Sequence, residues 1–227
     1  MAITAVSEGN DKTSPIKAIC FDAFGTLVEI TDKRRPFRAM LSEGAKGQRA
    51  ADALISPLGL RDVARDLAIK IGEARLLELE QDLAAECRSI QLRPGIETIW
   101  ASLRRAGLRI GICSNLALPY AKPLLAVVPG IPDALVLSFE VGLVKPQREI
   151  FHLVCEQLGL SADQILFVGD SLEADVHGPQ AVGMHAMTIR SFQAVLKHGP
   201  DHLPLTNEQV PLPVRQLFDR LHACACS

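Results

Sequence analysis

IKAICFDAFGTL, residues 16–27, decides how the rest of the chain reads. Ile16 to Asp22 is a short apolar run containing β-branched residues, and Gly25, a turn-former, follows it. The unbroken apolar stretch Ala18–Phe21 within it predicts a strand buried on both faces of a parallel sheet. Asp22 then stands at the carboxyl end of that strand, which is where open α/β sheets place their ligands.

Downstream, Thr31 to about Leu92 has a different character. It is rich in Ala, Leu, Arg and Glu, and through ADALISPLGL and DVARDLAIKIGEARLLELEQDLAAECRSI its apolar residues recur at three and four. That spacing predicts amphipathic helices, and hence a helical insertion. From Pro94 helices and strands alternate. Gly95–Ala106 is a predicted helix closed by Gly107, and RIGIC (Arg109–Cys113) a strand. Ala117–Val127 is a helix interrupted by Pro119 and Pro123, and Leu135–Phe139 a weaker strand. Arg148–Leu158 is a helix closed by Gly159, followed by a turn capped by Ser161. ILFVG (Ile165–Gly169) is a buried strand, Leu172–Val182 a helix, and His185–Ile189 a last strand. Beyond Ile189 the chain reads as proline-containing loop until a final amphipathic helix over Val214–Ala223.

Strand–helix alternation with short connections predicts an α/β fold, a Rossmann-like parallel sheet flanked by helices. The expected organisation is a disordered lead-in over residues 1–15, a core over 16–30 and 93–227, and a small α-helical domain over 31–92. The 227 residues, 48% hydrophobic, suffice for one substantial domain and a smaller insertion.

Composition narrows the function. The formal net charge is −2 and aromatics make up 4%, so neither bulk electrostatics nor a base-stacking surface points to nucleic acid. No apolar run is long enough to span a bilayer, and the N-terminal residues lack the pattern of a secretory signal, so no membrane partner is expected. Six scattered cysteines (Cys20, Cys87, Cys113, Cys155, Cys224, Cys226) read mostly as reduced core thiols of a cytoplasmic protein. Cys224 and Cys226 alone make a poor metal site. Oligomeric state leaves no trace in the sequence.

Polar residues follow the strands in a telling order. Asp22 ends the first strand; Ser114-Asn115 follows RIGIC; Lys145-Pro146 follows the weaker strand; Asp170-Ser171 follows ILFVG, with Asp175 five residues on. Taken singly, each has a plain structural reading as a cap, a turn or a solvated charge. Together they form a chemical set. Asp22, Asp170 and Asp175 can converge on one hard cation such as Mg²⁺, which favours carboxylates, waters and substrate oxygens. Such a cation offsets repulsion between a carboxylate nucleophile and an anionic substrate. Lys145 adds positive charge, Ser114 donates to a transferring oxyanion, and Asp22 is free to attack.

With FDAFGTL, CSN, VKP and GDSLEAD in this order, the chain resembles the haloacid dehalogenase superfamily from Ile16 to Ile189, including the place where that family inserts a helical cap. The resemblance implies that Asp22 is the nucleophile, that Ser114 and Lys145 position the transferred group, and that Asp22, Asp170, Asp175 and the backbone carbonyl of Phe24 serve a Mg²⁺ site. Asn115 and Thr26, neighbours within these motifs, are expected to contact a small anionic substrate.

The departure is Phe24. Phosphatases of the superfamily usually carry there a second Asp that protonates the leaving oxygen and later activates water. General acid–base help is commonly worth about 10²–10⁴ in rate, so its absence penalises poor leaving groups. DAFGTL is similar to the first motif of 2-haloacid dehalogenases, whose halide leaves without a proton. Asp170 and Asp175 speak for a metal site, which dehalogenases do not need. The halide-binding Arg of the dehalogenases lies in the cap; Arg34, Arg35 and Arg38 are its candidate counterparts, or simply exposed charges. The sequence favours a Mg²⁺-dependent phosphohydrolase. A hydrolytic dehalogenase and a binding or regulatory protein on a degenerate hydrolase scaffold remain as alternatives, and a Schiff-base lysine in the insertion is conceivable. His198 and His202 are placed in the late loop, within possible reach of the site.

Overall fold

A computed structural model describes residues 14–44, 53–199 and 210–225, with side chains to 222 in the last stretch. The chain begins with β1 (Ala18–Phe21) and β2 (Val28–Ile30), then α1 (Pro36–Ser42), α2 (Leu60–Asp66) and α3 (Glu73–Arg88). β3 (Ile90–Leu92), α4 (Ile96–Arg105), β4 (Arg109–Ser114), α5 (Ala121–Val127) and β5 (Ala134–Leu137) follow. Next come the one-turn helix α6 (Ser138–Val141), α7 (Arg148–Leu158), β6 (Ile165–Gly169), α8 (Gly178–Gln180) and β7 (His185–Thr188). Helices α9 (Ile189–His198) and α10 (Leu212–Ala225) close the chain.

Five strands form one parallel sheet in the order β5-β4-β1-β6-β7. The first strand is therefore central. The chain fills one side with β4 and β5, then returns to fill the other with β6 and β7. That reversal is a topological switch point, where loops at the strand ends part and leave a crevice. Alternation along β1 populates both faces. Ile19 and Phe21 join Ile110, Ile112, Leu166 and Val168 under α4, α9 and α10, while Ala18 and Cys20 join Ile165 and Phe167 under α7. Both faces are covered, as the apolar run predicts.

Between β1 and α4 lies the insertion. Helices α1–α3 bury Met40, Leu60, Val63, Leu76, Leu79 and Leu83 among themselves, so this layer has its own small core. The stretch is not helical to its end: β3 pairs antiparallel with β2, Val28 opposite Leu92 and Ile30 opposite Ile90. Helix α3 stops at Ser89, whose hydroxyl donates to the Glu86 carbonyl, and the next three residues alternate as a strand too short to show a period.

Several predicted boundaries move for local reasons. Phe139 leaves the fifth strand for α6, because the Ser138 hydroxyl is buried between the amide and carbonyl of Leu116. The predicted helix over Leu172–Val182 is helical over Leu172–Gln180, wound wide as a π-helix through Leu172–His177 before it continues as α8. The predicted loop after Ile189 is helix α9: Thr188 caps it by accepting from the Ser191 amide, and Ile189, Phe192 and Val195 recur at three to enter the core. Before α5, Leu118–Tyr120 forms a 3₁₀ turn. His198 ends α9; His202, most of the lead-in and the Cys224 and Cys226 side chains lie outside the described residues.

Candidate active site

The ends of β1, β4 and β6 are adjacent, with Phe21 level with Ile112 and with Val168. Strands in a sheet lie about 4.8 Å apart, so the residues at their ends meet without any special device. Asp22 and Asp170 are the first residues past β1 and β6, and Ser114 is the last residue of β4.

Lys145 is the hub. Its ammonium donates to Asp22 Oδ1 at 2.8 Å and to Asp175 Oδ1 at 2.7 Å, and its side chain is only 2% exposed. Ser114 donates to the same Asp22 oxygen at 3.3 Å. Lys145 reaches this place on the loop between α6 and α7, and Asn115 holds that loop. The Asn115 side-chain amide donates to the Lys145 carbonyl at 3.0 Å, and its oxygen accepts from the Lys145 amide at 2.8 Å. Both ends of Asn115 are thus engaged in fixing the lysine, although the residue also borders a cavity.

Asp175 is a buried residue of the π-helix. Its Oδ2 accepts from the amides of Asp170 and Ser171 at 3.1 and 2.9 Å, and Ser171 caps that helix through the Ala174 amide. A Cβ on Gly169 would lie 2.3 Å from Asp175 Cβ, so only glycine leaves room for this carboxylate. Gly25, at φ +87°, plays the same part for Asp170, whose Oδ2 would be 2.1 Å from an added Cβ.

Ligand oxygens of Asp22, Asp170 and Asp175 all lie within 4.8 Å of one another. Three carboxylates against one ammonium leave two negative charges in excess. Burial pushes the Asp22 carboxyl above its usual range, Lys145 opposes this, and Asp175 adds to it. Asp170 is also raised, by burial and then by Asp175. Burial would lower Lys145, but Asp22 with Cys113 and Asp175 outweighs it, and the lysine is held charged. An all-oxygen, overcharged set with one exposed member is what a hard divalent cation needs while keeping positions for water and substrate. The donor set fits Mg²⁺. The thiols beneath it are not nucleophiles: burial pushes Cys113 up to about 12 and Cys20 well above its ordinary value.

Thr26 stays apart from this group. It is fully buried in the turn after β1, its hydroxyl has no hydrogen-bond partner among the described residues, and it borders neither cavity next to the site. Phe24 borders both. One cavity, of about 410 Å³, lies between the insertion and the core, with Arg35, Phe37, Arg38 and Leu41 on one side and Phe24, Asn115, Leu116 and Tyr120 on the other. The second, of about 580 Å³, shares Phe24, Arg35 and Tyr120 and reaches Lys33, Glu86, Arg93 and Asp170.

Glu86 carries weight that the sequence reading missed. Its buried carboxylate accepts from the Arg34 and Arg35 amides, both at 2.7 Å, and from the Tyr120 hydroxyl at 2.5 Å. It thereby ties the start of α1, the end of α3 and the turn before α5 together. A signal was present: Glu86 continues the stripe Leu76, Leu79, Leu83, where an apolar residue is due.

Among the described residues no helix is long and apolar enough to cross a membrane. Residues 16–183 match the family model for haloacid dehalogenase-like hydrolases. A phosphoglycolate phosphatase of Yersinia pestis is 30% identical over 221 residues, covering 85% of this chain and 94% of the relative. The N-acetylmuramic acid 6-phosphate phosphatase of Pseudomonas aeruginosa is 27% identical over 206 residues, covering 84% and 89%. Among solved structures, a HAD family enzyme of Bacteroides thetaiotaomicron in complex with magnesium and inorganic phosphate aligns with TM-score 0.55 at 21% identity, covering 76% of this chain and 93% of that one. At that identity the likeness speaks for the fold.

Proposed function

Since the chain belongs to the haloacid dehalogenase-like hydrolases, we propose that it is a Mg²⁺-dependent phosphatase of a small phosphorylated metabolite, with Asp22 as nucleophile and the helices of residues 31–92 as the cap over its site. The observation that carries this reading is the buried set of Asp22, Ser114, Lys145 and Asp175, with Asp170 at its open side. The names of the relatives, phosphatases of phosphoglycolate and of N-acetylmuramic acid 6-phosphate, support it. Free thiols at Cys20, Cys87, Cys113 and Cys155 suit the reducing cytoplasm.

Mg²⁺ held by Asp22, Asp170, Asp175 and the backbone carbonyl of Phe24 supplies charge neutralisation between nucleophile and phosphoryl group. Asp22 attacks phosphorus, an aspartyl phosphate forms, and the bond to the leaving oxygen breaks with its electron pair. Lys145 and Ser114 hold the oxygens of the transferring group. Water then opens the aspartyl phosphate, releasing phosphate and restoring the carboxylate. Phe24 donates no proton at any stage, so leaving groups that are stable as anions react best.

The test is a parallel assay of phosphate release from acetyl and aryl phosphates and of halide release from chloroacetate and 2-chloropropionate, each with Mg²⁺ and with EDTA. Phosphate release that needs Mg²⁺ and disappears in Asp22→Asn is expected. Halide release in EDTA makes the protein a dehalogenase instead. Ligand binding unchanged by Asp22→Asn, with no turnover in either assay, makes it a binding protein.

A further inference from the structure

The cavity of about 410 Å³ has an aromatic wall. Phe24 stands edge-on to Tyr120 with ring centroids 5.8 Å apart, and Tyr120 stands against Phe37 at 6.1 Å. Glu86 accepts a hydrogen bond from the Tyr120 hydroxyl, so the polar tip of that ring is already engaged. Leu41 and Leu116 complete a mostly carbon surface. A polyhydroxylated substrate would lose its hydration there without gaining hydrogen bonds. An apolar cavity of about 150 Å³ already admits a benzene ring, so a substituted ring has room.

The arginines of the insertion are not equally engaged. Arg34 is engaged by Asp32 and Asp82, Arg61 by Glu73 and Glu80, and Arg75 by Glu43 and Glu78. Arg35 and Arg38 border the cavity, and among the described residues their side chains have no ion-pair or hydrogen-bond partner and no acidic residue lines the cavity with them. Two guanidinium groups that no described carboxylate engages, beside an apolar chamber, are suited to an anion carried on an apolar body.

Phe24 joins these facts to the chemistry. It walls the cavity and withholds a proton from the leaving oxygen, so that oxygen must leave as an anion. A phenol, with a pKa of about 10 like that of tyrosine, does this far more readily than an aliphatic alcohol. We propose that the substrate is an aryl phosphate bearing a second anionic group. Its phosphoryl group lies at Asp22 and Lys145, its ring along Phe24, Tyr120 and Phe37, and its second anion at Arg35 and Arg38. The inference rests on the phosphatase reading above.

The test compares kcat/KM with Mg²⁺ on acetyl phosphate, glycerol phosphate, phenyl phosphate and 4-carboxyphenyl phosphate, in wild type, Arg38→Gln and Phe37→Ala. In parallel, calorimetry measures wild-type binding of benzylphosphonate and 4-carboxybenzylphosphonate, which needs no variant to fold. Wild type is expected to favour the carboxylated over the plain phenyl ester by about tenfold or more, as a charge-assisted hydrogen bond provides. Arg38→Gln is expected to erase most of that ratio, and Phe37→Ala to lower the ratio of phenyl to glycerol phosphate. The carboxylated phosphonate is expected to bind about tenfold more tightly than the plain one. Equal kcat/KM on the two aryl esters and equal binding of the two phosphonates, with acetyl phosphate turned over, overturn the inference and leave the phosphatase standing. No phosphate released from any of the four overturns both.

Discussion

Phe24 sits two residues beyond the proposed nucleophile, at the junction of two cavities, and its ring packs on Tyr120. Phe24→Asp exchanges that packing for a carboxyl beside the leaving oxygen. On glycerol phosphate the gain should approach the lower end of the range for acid–base assistance, about tenfold to a hundredfold in kcat. It is held there because a further carboxylate joins a set that already has excess negative charge. On phenyl phosphate, which needs no proton, little gain is expected. The quantity to measure is the ratio of the two rates, and a ratio unchanged by the substitution removes protonation as the limit. Gly25 presents a steric case. Its φ of +87° and its contact with Asp170 mean that Gly25→Ala strains the backbone and displaces the carboxylate together. The backbone part costs about 1–2 kcal/mol. The displaced carboxylate should raise the Mg²⁺ concentration for half-maximal activity by about tenfold or more, read from a metal titration. A variant that loses stability but keeps its metal midpoint would separate the two effects and sever Gly25 from the metal site.

At the scale of elements, Glu86 is the joint between insertion and core. Glu86→Ala removes the acceptor from two amides and a phenol at once. A buried donor left without a partner costs about 1–3 kcal/mol, and partial hydration of the Arg34 and Arg35 amides moderates the sum. A loss of about 2–4 kcal/mol in denaturant unfolding is expected. Glu86→Gln, which keeps one acceptor oxygen for the amides and leaves the other side to a reoriented Tyr120 hydroxyl, should lose less than half as much. Equal losses would mean that charge rather than acceptor geometry makes the joint. The same element shows how far the sequence could be read. Leu76, Leu79 and Leu83 declare α3 and its buried stripe by spacing alone, but the acidic residue that continues the stripe has partners 34 to 52 positions away. No local pattern reports such distant pairing. Helix α9 was hidden differently: its period of three is short and merges with the prolines after Gly199, which masked a cap and stripe that are both present. Strand β3 is three residues long and acquires meaning only from β2, sixty residues earlier.

Over the whole molecule, the candidate site is legible for a geometric reason. A parallel sheet whose first strand is central brings the residues at the ends of β1, β4 and β6 together, so polar residues after apolar runs mark the site before any coordinates are known. Lys145 follows that rule less directly, since a one-turn helix and an Asn115 clamp lie between its strand and its place. The ion pairs that occupy Arg34 but spare Arg35 and Arg38 follow no rule of spacing. The balance of charge at the site has a consequence for the fold as a whole. The excess of carboxylates around Lys145 opposes folding in the absence of a cation, and the pKa of Asp170, raised by burial and by Asp175, carries that sign. A ligand that binds only the folded state at a hundred times its Kd stabilises by about 2.7 kcal/mol. For a chain of this length that corresponds to a rise in Tm of about 5–10 °C. Mg²⁺ should produce such a rise over EDTA in the wild-type protein, with no substrate present. Asp170→Asn removes an exposed carboxylate from the repelling set, so in EDTA it should be at least as stable as wild type, while in Mg²⁺ most of the rise should disappear. A wild-type Tm that is the same in Mg²⁺ and in EDTA would break the assignment of Asp22, Asp170 and Asp175 as a metal site, whatever the assays of turnover report.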